Sequence, residues 1–514
     1  MQPFRRIVGP IHGPARQSPD LQRLAVEAIL GAHHLPDGSL VAVALRALSP
    51  MEWADMERYI RKIIAFPWHR DASLWEDITP SKLLEFYLTE SWDLTRVGLY
   101  SLHRNGYLRE AAVRIISGTP DRAGIHILLL RLNDHVPVIR NIATEAIRER
   151  IVPAYCDRWI EALPFLNRLK EMKRGSHGWL AVRVYEMLHL PECRGALQAG
   201  LASPDPLIHR SAFSIIADGD PANIEHLRNG LDDLDLAVRR DAVKRIAGIP
   251  DDDLFVAMVR MALTDPMSGI RSAAAAMTGR RMPEAAGDIL HDSLFDPAPM
   301  MRAIARHHLK PDADIPEIYR AEVARNDDRT LAGAIAGLGE TGTSRDAVTA
   351  DALRDHPRGR VRQVATQAYL QLADQIAPDE ILRILSNPTP RISREILSAP
   401  GRHLRAITID QLMAGYIAGL DHVRRNITQL ARRLSKWEQI ILLIETISFT
   451  EPESADRDAL YVEIEGWRNR YNRRQTQPTP RQTERMRDAM ARNGALLTRA
   501  QRTELEFITR SLRG

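Results

Sequence analysis

LTDPMSGIRSAAAAM, residues 263–277, opens on an apolar residue and crosses an Asp-Pro turn. It then enters an apolar stretch marked by an Ile-Arg pair. The same frame recurs as LASPDPLIHR from Leu201, LDDLDLAVRR from Leu231, LFDPAPMMR from Leu294, ARNDDRTLAG from Ala324, LRDHPRGRVR from Leu353 and LSNPTPRISR from Leu385. With Leu263 in its place, the starts step by 30, 32, 31, 30, 29 and 32 residues. A fixed period of that size marks a stacked repeat in which each unit contacts its neighbours and cannot bury its apolar face alone. Such arrays hold partners, so the repeat speaks to how the chain binds before it speaks to whom.

Each unit resolves into two helices. After the turn, Val361, Val364, Ala365, Ala368, Tyr369 and Leu372 recur at helical spacing, as do Val238, Ala242 and Ile246, and Ile270, Ala274 and Met277. In Asp265-Pro266 and Asp296-Pro297 the Asp is expected to cap the following helix and the Pro to take a first helical position. The small residues Ala273 to Ala276 permit close helix packing.

These segments resemble HEAT repeats, particularly the short variety of the phycobilisome lyases, with an Asp at the inter-helix turn and a Val-Arg pair opening the second helix. Val238-Arg239, Ile270-Arg271, Met301-Arg302 and Val361-Arg362 carry the pattern. Ile208-His209-Arg210 and Ile392-Ser393-Arg394 shift the Arg by one, and Leu331-Ala332 lacks it. The resemblance covers residues 195–405 and implies an all-α fold, an α-α superhelix of about ten two-helix repeats. Weaker matches extend it: LNDHVPVIR from Leu132, LTESWDLTR from Leu88 and LDHVRR from Leu420, with one degenerate unit between 150 and 200. The expected organisation is an atypical N-terminal helical cap (1–85), the HEAT-like array (86–436) and an Arg-rich C-terminal helical module (437–514).

The composition is that of an ordinary soluble chain, 44% hydrophobic and 26% charged over 514 residues. MQPFRRIVGPIHGPARQ lacks the apolar stretch of a signal peptide, and no apolar run is long enough to span a bilayer. Cys156 and Cys193 are the only cysteines, which argues against a disulfide scaffold or a cysteine zinc site. A cytoplasmic location is expected. Arg outnumbers Lys 63 to 7, which suggests a GC-rich bacterial source. The net charge is +4, yet residues 467–514 alone hold twelve Arg and four acidic residues, a local +8.

Three features compete as sites. Trp53, Trp68, Trp75 and Trp92 cluster near the start; packing at a closed end of the array is the stronger reading, with Trp68 in a Pro-containing loop the best placed for contact. Arg140, Arg239, Arg271, Arg302, Arg362 and Arg424 recur once per unit, and pairing to the turns outweighs a phosphate-binding stripe. In the C-terminal segment, Leu460, Ile464, Trp467 and Tyr471 share one helical face, while Arg468, Arg470, Arg473 and Arg474 crowd the other. With Arg481 and Arg485, these arginines and Trp68 are the expected partner-binding residues.

Catalytic motifs are missing. The chain has no GxxxxGK[ST], GxGxxG or HExxH, and no His-Glu dipeptide of the kind HEAT-fold deoxyhypusine hydroxylases use for iron. No catalytic residue, metal site or cofactor is expected. The expected function is a non-catalytic scaffold or adaptor for a protein partner, its basic module adding electrostatic contacts. The alternative is a nucleic-acid-binding HEAT protein, at its extreme an alkylpurine-DNA-glycosylase-like enzyme using Trp159 with Asp157 and Arg158, or Trp179 with Arg183. A lyase-type modifying enzyme ranks below both.

Overall fold

The computed structural model describes residues 20–31, 40–64, 75, 77–89, 94–120, 124–169, 171–172, 177–221, 223–309, 311, 313–404, 407–471 and 476–511. Every regular element among them is helical, and no described helix is long and apolar enough to cross a membrane. The all-α class expected from the repeat is the class observed. The chain divides into two compact units, Met1–Ala262 and Leu263–Gly514. Each is a stack of helix pairs joined by short turns.

In the first unit, Leu94–Tyr100 pairs with Gly106–Gly118, Gly124–Arg131 with Pro137–Arg148, Arg194–Leu201 with Pro206–Gly219, and Ile224–Leu231 with Leu236–Arg245. The degenerate stretch forms Cys156–Leu169 and Gly178–Leu188. Trp53 and Trp75 are buried in this core, and Trp75 stacks on Tyr100 with centroids 4.7 Å apart. They pack, as the closed-end reading expects. Trp68 and Trp92 lie outside the described residues. In the second unit, a single apolar core runs from Leu331 to Ile508 and takes in Trp437, Trp467, Met486 and Leu505. The C-terminal helices Pro480–Asn493 and Arg499–Ser511 therefore share a core with the repeats before them.

One local construction explains the period. At nine turns among the described residues, a side chain accepts a hydrogen bond from the backbone amide two positions on: His103, Asp134, Ser203, Asp233, Asp265, Asp296, Asp327, His356 and Asn387. This is the Asx turn and its His and Ser equivalents. Six residues after the turn residue stands the repeat arginine, and its Nη1 donates to that residue's carbonyl. Arg109 reaches His103 at 3.0 Å, Arg140 reaches Asp134 at 2.7 Å, and Arg239 reaches Asp233 at 2.9 Å. Arg271, Arg302 and Arg362 do the same to Asp265 (2.7 Å), Asp296 (2.6 Å) and His356 (2.9 Å). The arginine thus satisfies a carbonyl of the turn, beyond the end of the first helix. Arg424, the last of the expected ladder, bonds the Tyr416 carbonyl at 3.1 Å instead.

This geometry corrects one expectation and completes three others. A frame that the spacing alone passes over lies at LHRNGYLR from Leu102: His103 is the turn residue, and Asn105 caps Gly106–Gly118 through the Tyr107 amide, while the turn of the Leu88 frame lies outside the described residues. Asp265 and Asp296 do not cap the next helix. They form the turn itself, and the helices begin at Ser268 and Pro299. In the units whose Arg seemed shifted, the ladder place is held by His209 and Ser393, which bond the carbonyls of Leu201 and Leu385. Where the Arg is missing, Gly333 holds the place. A Cβ there would stand 1.8 Å from the Phe295 carbonyl oxygen, so that space is already filled by backbone.

His103 can close its turn only as a neutral ring, because its Nδ1 accepts from the Asn105 amide. Burial, helped by the Arg104 and Arg109 charges, pushes its pKa down to about 4. Its contribution to stability is therefore full above its unfolded value near 6.5 and falls as the pH drops from there toward 4. His103→Asn, which accepts without titrating, is expected to shrink the loss of urea midpoint between pH 7.5 and 5.

Candidate functional site: the second-helix face

The second helix of each pair buries one stripe and turns the residue just before it outward. In the first unit Leu108, Ile139 and Val238, five places after their turn residues, are fully buried. The residue one step earlier is rotated by about 100° and faces water in three of the four pairs, Ala237 in the fourth being half-buried. Tyr107, Val138 and Leu207 occupy that place and are 78%, 46% and 45% exposed. Three large apolar side chains left out at one repeat position form a series, not a scatter. Within the second unit Met300 holds the same position at 63% exposure.

Between Pro206–Gly219 and Leu236–Arg245 lies a groove of about 420 Å³, lined by Arg210, Ser211, Ser214, Asp218 and Asp241, with Tyr185 and Asn167 at its side. Its polar groups are engaged with one another. Arg210 Nε donates to Asp235 at 2.8 Å, Arg245 bonds Asp218 at 2.6 Å and Asp241 at 3.1 Å, and the Tyr185 hydroxyl donates to Asn167 at 3.2 Å. The Arg210 fork, after burial is overcome, holds Asp235 below the usual carboxylate range. This chemistry suits docking of a surface more than proton transfer.

The expected basic site belongs to the second unit and is largely committed internally. Arg468 bonds Glu504 through Nε at 2.7 Å and Glu465 at 2.5 Å. Arg485 grips both oxygens of buried Glu445, at 2.9 and 2.7 Å, and reaches Asp410 at 2.7 Å. Arg502 bonds the carbonyls of Gly494 and Ala495, closing the preceding helix end. Arg470 and Arg481 are exposed. Arg473 and Arg474, like Trp68, lie outside the described residues. Because buried Glu445 would be left with only Arg492, at 4.0 Å, Arg485→Met is expected to cost about 2 kcal/mol in chemical denaturation.

The glycosylase-like grouping is not presented on a face: Trp159 is fully buried, with its indole N–H donating to the Arg150 carbonyl at 2.8 Å. Trp179 is half-buried beneath Arg148, whose guanidinium lies 5.1 Å from the ring centroid. Among the described residues no three His, Cys, Asp or Glu side chains are grouped to hold a metal ion. The apolar series at Tyr107, Val138 and Leu207 escaped sequence reading, although its signal was present. It is the fourth residue after each turn residue, visible only once the turn residue is placed correctly.

The period, the Asx turn and the arginine clamp define an all-α helical-repeat protein. No protein-family model matches the chain, and no curated protein is similar to it in sequence. Among solved structures it is similar to a chain of the Kap95p–RanGDP structure, with a TM-score of 0.37 and 11% identity over 90% of this chain and 67% of that one. It is also similar to importin beta in an ammonium sulfate condition, with a TM-score of 0.30 and 12% identity over 87% of this chain and 61% of that one.

Proposed function

We propose that the chain is a non-catalytic HEAT-repeat scaffold that binds a protein partner along the second-helix face of the unit Met1–Ala262. The observation that carries this is the exposed series Tyr107, Val138 and Leu207, repeated at one structural place, with a groove of paired polar groups on the helix that bears Leu207. Exposed apolar side chains in register offer a partner desolvation energy of about 25 cal/mol per Å². The surrounding ion pairs set orientation and help exclude wrong partners. Exposed Arg470 and Arg481 add electrostatic attraction from the C-terminal helices, and a cytoplasmic site of action belongs to the same reading. The nucleic-acid alternative loses weight because Arg468, Arg485 and Arg502 are held by the chain's own groups.

Affinity purification of the intact protein from its native cells, with and without nuclease, tests this. One stoichiometric protein is expected to survive nuclease. The triple variant Tyr107→Glu, Val138→Glu, Leu207→Glu is expected to lose it by at least about 100-fold in affinity while keeping the wild-type circular dichroism spectrum. Nucleic acid in the untreated sample, with all proteins lost on digestion, would reverse the assignment.

A further inference from the structure

A second charged construction lies within the unit Met1–Ala262, away from the second-helix face. The helix Pro50–Ile64 packs against Gly124–Arg131 and Cys156–Leu169, and leaves a cleft of about 200 Å³ between them. Four guanidiniums line it, those of Arg58, Arg61, Arg131 and Arg168. Arg131 is buried at 2% exposure, whereas the side chains of Arg58, Arg61 and Arg168 are 63%, 53% and 35% exposed.

The carboxylates around these arginines are too few. Asp134 is shared by Arg109 and Arg131, each at 3.0 Å. Glu57 is shared by Arg131 at 2.6 Å and Arg61 at 2.5 Å. Asp55 is shared by Arg58 and, at 3.9 Å, by Arg168. Five guanidiniums thus divide three carboxylates among the described residues, an excess of two positive charges. Both Glu57 and Asp134 stay ionised: burial acts against this, and the neighbouring arginines overcome it to hold each below the usual carboxylate range. Neutralisation from within by protonation or deprotonation is therefore closed, since arginine does not release its proton. Four of these five guanidiniums line the cleft, which has room for about six water volumes.

We propose that this cleft is an anion site that takes a phosphoryl group, whose charge of about −1.5 to −2 matches the excess and whose oxygens match the planar forks of arginine. The group belongs either to a free phosphate monoester or to a phosphorylated side chain of a protein partner. The site does not depend on the second-helix face, and its failure would leave that assignment standing.

The test is calorimetric titration of the full chain, at low ionic strength, with phenyl phosphate and with a phosphoserine hexapeptide beside its unphosphorylated form. Saturable binding of phenyl phosphate or the phosphopeptide, with none of the bare peptide, supports the site, and the tighter of the two ligands names its source. Arg61→Gln with Arg168→Gln is expected to weaken binding about tenfold or more. Arg383→Gln, in the other unit, is expected to leave it within about twofold. Should the double variant misfold, Arg168→Gln alone carries the comparison. No heat from either ligand up to about 10 mM, or variants at Arg61 and Arg168 that bind as wild type does, would overturn the proposal.

Discussion

Asp134→Ala is expected to cost about 3–5 kcal/mol, which is enough to unfold a marginal unit. The carboxylate is 1% exposed and stands between two guanidiniums that are themselves buried, Arg109 at 1% and Arg131 at 2%. Its Oδ1 also accepts the Val136 amide at 2.9 Å and so closes the turn. Removing it leaves buried Arg109 without a carboxylate and Arg131 with Glu57 alone, and opens the turn in one step. Asp134→Asn keeps the turn acceptor but not the charge, and is expected to recover a minority of the loss. The pH dependence follows from the same contacts. Burial alone would raise the Asp134 pKa, but the Arg109 fork, the Val136 amide and the Arg131 charge bring it below the ordinary value. Such a group stabilises fully above its unfolded pKa near 3.9, and that contribution is lost as the pH falls through the lower folded value. The wild type is therefore expected to lose stability on acidification below about pH 4 more steeply than Asp134→Asn. Urea midpoints read across pH 2–7 by circular dichroism check both statements, and equal midpoints for Asp134→Ala and wild type at pH 7 would contradict the first.

Restoring the missing repeat arginine is expected to damage the protein. In Leu331-Ala332-Gly333 the consensus asks for Arg at the third place, but a Cβ on Gly333 would meet the Phe295 oxygen at 1.8 Å and its carbonyl carbon at 2.4 Å. Both are backbone atoms that cannot rotate away. Four residues on, a Cβ at Gly337 would strike the Tyr319 ring at 2.2 Å, so this helix lies close against its neighbours along a glycine stripe. Gly333→Ala is expected to cost about 3 kcal/mol, and Gly333→Arg more. The helix-propensity gain of about 1 kcal/mol for Gly→Ala does not offset this. The charge arrangement has adapted as well. Arg302, without an arginine-compatible unit ahead of it, takes Glu340 on the same glycine-bearing helix, and Arg306 joins it at 2.6 Å. A Gly333→Ala protein with unchanged denaturation midpoint would show that the helix can withdraw at little cost.

How much of this is legible in the chain depends on the range of each interaction. The period and the second-helix stripes are local, and by themselves they specify an all-α repeat. The unit at Leu102 escapes the pattern because His103 and Asn105 do the work that Asp does elsewhere. Composition alone does not show that a neutral imidazole can close an Asx-type turn. The basic C-terminal segment misleads for a different reason. Arg468 and Arg485 find acids 36 and 40 residues away, and Arg485 also reaches back to Asp410. A net charge counted over 48 residues cannot see Asp410 or Glu445, which lie outside the window. The cleft near Arg131 is invisible for the same reason, since Glu57 and Arg131 are 74 positions apart.

The arginine clamp closes on a carbonyl only six residues behind it, at turn after turn. Each such turn needs nothing from the rest of the chain in order to form. Loops this short close in well under a microsecond, so the search for the native topology is divided among many small, simultaneous starts. The stretch from Cys156 to Leu188 has no such closure among its described residues, and structure must reach it from the flanking pairs. Refolding of this long chain is therefore expected to begin on both sides of that stretch and to finish within it.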